Sequence, residues 1–327
     1  MAMLYQYYFF TLLSLVFVVI SHAANLSPEV YWKIKLPNTP MPKPIKDALH
    51  ISEKTSQPYG GLTWDWFHVF SKNELHKLHQ LSQPYGVYFY GVSLKNLNED
   101  HLVTRFFFET DLHQGKKVNL KSLKNNNPAP LLPRKVVDSI SFSSNRIEEI
   151  LDHFSVDNNS EDAKVIKRTV ELCEQPAADG EIKYCATSLE SIIDFASSRL
   201  ETNNILAIHT EVEKETPVLQ TYTIKEVKEK ANGKCVICHK VPYPYAVHFC
   251  HDVGSTRAFR VTMVGADGTK VNAVSVCHED TASMNPKALV FQLLNIKPGD
   301  KPICHFIMDD QIALFPSQNA VLQMAEG

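Results

Sequence analysis

Apolar positions change period twice along this chain, and the changes divide it into three. Between 145 and 200 they recur at helical spacing. Ile147, Ile150, Leu151 and Phe154 share one face behind Asn145 and Glu148, which read as a capping box. Residues 161–172 form a second predicted helix with Val165, Ile166, Thr169 and Val170 inward. Thr187 and Glu190 cap a third, which carries Leu189, Ile192, Ile193 and Ala196. After Leu200 the pattern becomes short β-branched runs at 205–212, 218–224, 234–241, 245–253, 258–265 and 270–278. Asn232-Gly233 and the residues from Ala266 to Thr269 suit hairpin turns between them. Helices followed by strands predict an α+β domain with a mainly antiparallel sheet or barrel.

Residues 25–100 sustain neither period. They are rich in Pro, Lys, Ser and Tyr, and read as an extended or loosely ordered leader. Ahead of them, residues 9–20 form an apolar run too short to span a bilayer, followed by the small residues of Ser21-His22-Ala23. This predicts a cleaved signal peptide over 1–23, a leader over 24–104 and a folded domain over 105–327. The implied setting is the secretory pathway, where cysteines pair as disulfides. No later run has the length of a membrane helix, and a net charge of -3 gives no basic footprint for nucleic acid. Asn158-Asn159-Ser160 is a sequon that places a glycan on Asn158.

The candidate chemistry lies in four dipeptides, Cys238-His239, Cys250-His251, Cys277-His278 and Cys304-His305, separated by ten, twenty-five and twenty-five residues. Three lie on predicted strands or at their ends, and the fourth within 302–308. Neighbouring strand residues point to opposite faces, so each cysteine can enter a disulfide while its histidine is presented on the other side. Four neutral imidazoles suit zinc, nickel or copper, and a nitrogen-rich site without thiolate favours Cu(II). Two readings compete: disulfides whose histidines merely sit at strand ends, and a closed zinc site that uses the sulfurs. Cys173 and Cys185, flanking Pro176 and Gly180, read as a separate loop staple, which leaves Cys235 as the odd thiol.

The dipeptide spacing is that of the BURP-domain family of plants. The segments CATSLESIIDFA (185–196), CHKVPYPYAVHFCH (238–251), CHEDTASMNP (277–286) and RFFFETDLHQGKKVNL (105–120) resemble it too. The short leader is similar to the unknown-seed-protein type. The resemblance implies residence in a vacuole or in the apoplast and cell wall. For the catalytic members it also implies a copper- and dioxygen-dependent peptide cyclase acting on a core within its own chain. His239, His251, His278 and His305 would then be metal-binding and catalytic, with His113 a further candidate ligand.

The leader supplies a candidate substrate. Ser-Gln-Pro-Tyr-Gly occurs at 56–60 and again at 82–86. The first copy continues to Trp64 and resembles the lyciumin-type core: Gln57 first, Pro58 second, Gly60 fourth, Trp64 eighth. In that type the indole nitrogen is joined to the glycine α-carbon, and proteolysis and glutaminyl cyclase then release the peptide with a pyroglutamate end. Pro58-Tyr59-Gly60 favours a turn that brings the two partners together. The second copy, from Gln83 through Gly86, has Tyr90 in place of tryptophan, and is either a phenol-linked core or a decayed one. The alternative from another class is a secreted seed or wall protein held by disulfides, without chemistry.

Overall fold

A computed structural model describes residues 26–54 and 106–317, apart from short stretches at 121–122, 125–128, 178–179, 215–218, 253, 283, 285 and 287. Both core segments and the signal peptide therefore lie outside the described residues. Residues 26–54, expected to be extended, instead form two helices, α1 (Pro28–Lys35) and α2 (Lys43–Lys54). Ser27 caps α1 by accepting from the Val30 N–H, and Pro28 fits the first turn, where no donor is required. Trp32 from α1, Leu36 just past its end, and Ile45, Ala48 and Leu49 from α2 are buried in the same cluster as the domain's central helix. The Trp32 indole donates to the Thr39 carbonyl at 2.8 Å, and the Thr39 hydroxyl donates to the Ile205 carbonyl. Prolines stand in the first turn of both helices, at Pro28 and Pro44, and in their connection, at Pro37, Pro40 and Pro42, so the composition of the segment masks the apolar spacing of Ile45, Ala48 and Leu49.

Two antiparallel sheets carry the domain. The larger has the order β1 (Phe106–Phe108), β11 (Ile303–Phe306), β10 (Lys270–His278), β9 (Thr256–Gly265), β6 (Gln220–Gly233) and β2 (Lys117–Leu120), with β5 (Glu211–Val212) also pairing β10. It curls into a half-barrel around its own core of Phe107, Tyr222, Phe259, Met263, Ala273 and Phe306. The smaller has the order β3 (Ile182–Ala186), β8 (Val247–Asp252), β7 (Val236–Val241), β12 (Ile312–Pro316) and β4 (Ile205–Ile208). The α+β class and the mainly antiparallel pairing agree with the sequence pattern. Between the sheets, Ile208, Ile237, Ala313 and Phe315 from the smaller pack on Ala231, Ala258, Val274 and Val276 from the larger.

Helices cover the other face of the smaller sheet. Leu189, Ile192, Ile193 and Ala196 of α6 (Leu189–Leu200) pack against Val236, Ala246, Ile312 and Leu314. Two shorter helices, α3 (Arg134–Val137) and α4 (Ile147–His153), and the longer α5 (Glu161–Glu174) close the end near Tyr243 and Phe249. Val165, Ile166, Thr169 and Val170 are inward on α5 as expected. Two caps differ. Asn145 lies in a 3₁₀ turn over Ser144–Arg146 and α4 has no side-chain cap, while α6 is capped by Ser188 with Ser191 rather than by Thr187 with Glu190. Asn232-Gly233 does not close a hairpin. Gly233, at φ +111°, ends a strand of the larger sheet and the chain crosses to β7 in the smaller. The turn from Ala266 to Thr269 does join two paired strands, β9 and β10.

Candidate metal centre

Strand register places the four dipeptides. Cys238 lies opposite Cys250 on β7 and β8, and Cys277 opposite Cys304 on β10 and β11. Each pair is a disulfide, with Cα atoms 4.0 and 3.9 Å apart. Cys238–Cys250 faces α6 and Cys277–Cys304 faces the half-barrel core. Because successive residues alternate faces, the following histidines all turn toward the space between the sheets. His239 stands opposite Phe249 and His251 opposite Ile237, so the two imidazoles are diagonal neighbours on one face. His278 and His305 repeat this on the facing sheet.

The four rings form a closed circuit. Centroid separations are 5.2 Å for His239–His251, 6.0 Å for His251–His278, 5.5 Å for His278–His305 and 5.7 Å for His239–His305. Within each sheet the Nε2 atoms meet, at 3.2 Å for His239–His251 and 3.4 Å for His278–His305. All four side chains are buried, none more than 3% exposed. Burial, with the neighbouring imidazoles adding to it, holds His239 and His278 far below the ordinary histidine range, so both rings are neutral. His251 Nδ1 lies 2.9 Å from a carboxylate oxygen of Glu181, and His239 Nδ1 lies 3.1 Å from the amide oxygen of Gln311.

This donor set fits a metal that prefers nitrogen. Two nitrogens each about 2.0–2.1 Å from one tetrahedral ion lie roughly 3.3 Å apart, close to both Nε2 separations. The disulfides withdraw four sulfurs, which removes the thiolate zinc site as an arrangement of this structure. Among the described residues, no three His, Cys, Asp or Glu side chains close on a single point. The centre is therefore two imidazole pairs set side by side, not a single closed tetrahedron.

The other sequence candidates lie elsewhere. His113 is exposed, its ring bonded to the Gln114 carbonyl, and is not brought to the four. Cys173 and Cys185 form the expected staple, and Cys235 is buried and outside any disulfide. Asn158 is exposed just before the Ser160 cap of α5, where it accepts from Lys167. Gln57, Pro58, Tyr59, Gly60, Trp64, Gln83, Gly86 and Tyr90 fall outside the described residues. Glu181 and Gln311 were missed. Each directly precedes a strand, β3 or β12, that the sequence pattern did not reveal, and no motif singles them out.

Facing sheets, each stapled across a Cys-His register, define a disulfide-braced α+β protein with a buried histidine centre. The chain belongs to the BURP domain family: the family profile matches residues 105–316. Over 298 residues it is 40% identical to BURP domain-containing protein 5 of Oryza sativa subsp. japonica, covering 89% of this chain and 87% of that protein. Identity is 45% over 230 residues to BURP domain-containing protein 3 of the same plant, and 38% over 234 residues to BURP domain protein RD22 of Arabidopsis thaliana. Those two alignments cover 69% and 70% of this chain, but only 54% and 60% of the respective relatives.

Proposed function

We propose that the protein is the precursor of a side-chain macrocyclic peptide and cyclises its own core, joining the Trp64 indole nitrogen to the Gly60 α-carbon. The observation that carries this reading is the circuit of four buried imidazoles built from the Cys-His dipeptides. His239, His251, His278 and His305 would hold copper. Copper, when bound, supplies a redox couple able to pass electrons to dioxygen, which no side chain does unaided.

The chain supplies the rest. One hydrogen leaves the indole nitrogen and one the glycine α-carbon as the N–C bond forms. The two electrons and two protons pass to dioxygen, giving hydrogen peroxide. Gly60 is suited because no side chain shields its α-hydrogen, and the turn at Pro58-Tyr59 shortens the approach to Trp64. The substrate segment is tethered at both ends, by α2 at Lys54 and by β1 at Phe106, whose register partner is His305. Tethering raises the local concentration of the core without a separate binding step. Gly86 and Tyr90 form a second, phenol-bearing candidate. Release would fall to secretory proteases, after which Gln57 cyclises.

One observation favours a second reading. The imidazoles are so fully buried that a copper centre which only clamps the two sheets, in a secreted matrix protein, also fits. A single experiment separates the readings. Metal-free mature protein is incubated with Cu(II) in air and digested, and the peptide spanning residues 57–64 is weighed. Cyclisation removes two hydrogens from that peptide, and Trp64→Phe abolishes the loss while copper uptake persists. Bound copper with an unchanged peptide would leave the clamp as the function.

A further inference from the structure

We propose that Glu181 and Gln311 are positioning residues that make His239–His251 the first and tighter of two metal seats; this rests on the copper reading above. Gln311 Oε1 accepts the Met308 backbone N–H at 3.1 Å, which fixes the amide with its oxygen toward His239. The same oxygen lies 3.1 Å from His239 Nδ1, so that nitrogen carries the proton. Glu181 acts alike on the neighbouring ring. Its carboxylate is 2.9 Å from His251 Nδ1 and 6% exposed, and it accepts the Nδ1 proton. A neutral imidazole protonated at Nδ1 has its lone pair on Nε2.

Both acceptors therefore hold their rings with Nε2 turned toward Nε2, across a separation of 3.2 Å. A single cation bound to both nitrogens would span that separation. The Glu181 charge favours such a cation, since it partly neutralises a divalent ion in a medium that screens poorly. The facing pair is set differently. Its Nε2 atoms are 3.4 Å apart, and His305 Nδ1 meets the neutral Phe306 carbonyl at 3.4 Å.

The fold holds Glu181 in place from a distance. β3 pairs with β8 so that Lys183 lies opposite His251, and the Cys173–Cys185 disulfide ties this edge strand to α5. Lys183 adds a bond from its amine to the Leu172 carbonyl at 2.8 Å. The third disulfide thus braces the strand that carries the carboxylate.

The test uses the mature protein stripped by a chelator, with Cu(II) affinity read by competition and the site read by electron paramagnetic resonance. Glu181→Gln should weaken binding of the first equivalent about 10–100-fold and alter the spectrum. Gln311→Glu, which keeps the acceptor and adds a charge, should recover affinity in that background. His278→Ala with His305→Ala should keep the first equivalent, whereas His239→Ala with His251→Ala should lose it. Wild-type affinity in Glu181→Gln, or the reverse order of loss in the histidine pairs, would overturn the proposal. One measurement needs no variant: nitrogen spectra of the metal-free protein should show a proton on Nδ1 of both His239 and His251. A bare Nδ1 on either ring would also overturn it. Wild-type protein that takes up no copper at all would sink the copper reading itself.

Discussion

Removing the three disulfides one at a time should give three different losses of stability, in an order set by loop length and burial. Cys173–Cys185 and Cys238–Cys250 each close loops with a sequence separation of 12, and Cys277–Cys304 one of 27. If a bridge acts by restricting the unfolded chain, the shorter loops contribute about 2.9 kcal/mol each and the longer about 3.6 kcal/mol at 25 °C. Burial separates the two short loops. Cys238 and Cys250 are fully buried, whereas Cys173 and Cys185 are half-buried, so alanine leaves a cavity only in the first case. Two missing sulfurs in a packed interior add about 1–2 kcal/mol. Alanine pairs should therefore destabilise least at 173/185, more at 238/250 and most at 277/304, where the cavity adds to the longer loop. Urea unfolding of each variant with the other disulfides intact measures this, and differences of 1 kcal/mol shift the thermal midpoint by roughly 2–4 °C. Equal losses at 173/185 and 238/250 would refute the packing contribution, and a smaller loss at 277/304 than at 238/250 would refute the loop-closure reasoning.

Two further outcomes follow from packing and charge. Trp32→Ala should cost about 3–5 kcal/mol in the same urea assay, because a ring 2% exposed leaves the helix cluster and its bond to the Thr39 carbonyl is lost; a loss under about 1 kcal/mol would show that α1 is dispensable. His248 is held down to about 3, by burial first and by the Lys240 charge second. It stays neutral in the fold but takes a proton on unfolding below about pH 6.5. Its contribution to stability is thus full above that value and lost as pH falls toward 3, at about 1.4 kcal/mol per unit. His248→Gln should flatten the acid side of the stability curve, and an unchanged slope would refute the assignment.

What could be read from the sequence, and what could not, follows from how local each signal is. Val165, Ile166, Thr169 and Val170 lie on one face of a fourteen-residue helix, and that periodicity is enough. The α6 cap fell one residue from its expected place because Thr187-Ser188 offers two adjacent hydroxyls, and only backbone geometry chooses between them. β6 was read only to 224 because its second half, Lys225–Gly233, is dominated by charge. It is a strand because β9 pairs along it, across two register shifts. Strands β3 and β12 are five residues each, and their place depends on partners far along the chain. That is also why Glu181 and Gln311 were invisible: a residue supports a site across a sheet edge without leaving a local pattern.

The spacing of the dipeptides, in contrast, is explained almost entirely by topology. Ten residues between the first and second pairs span a hairpin, because β7 and β8 are adjacent and antiparallel, and Cys238 must face Cys250. The twenty-five residues to the third pair carry the chain from one sheet to the other, out along β9 and back along β10, so that Cys277 is reached near the end of the second pass. The final twenty-five return to the far side of β10 through α7 (Leu289–Leu294) before β11 brings Cys304 opposite Cys277. Opposed cysteines leave each following histidine diagonal to its partner, and two sheets face to face turn two diagonals into a circuit. An insertion of one residue ahead of the dipeptide within β7, β8, β10 or β11 would turn a histidine to the wrong face and break the circuit. The histidine centre is thus a consequence of register, and the disulfides are what hold that register fixed.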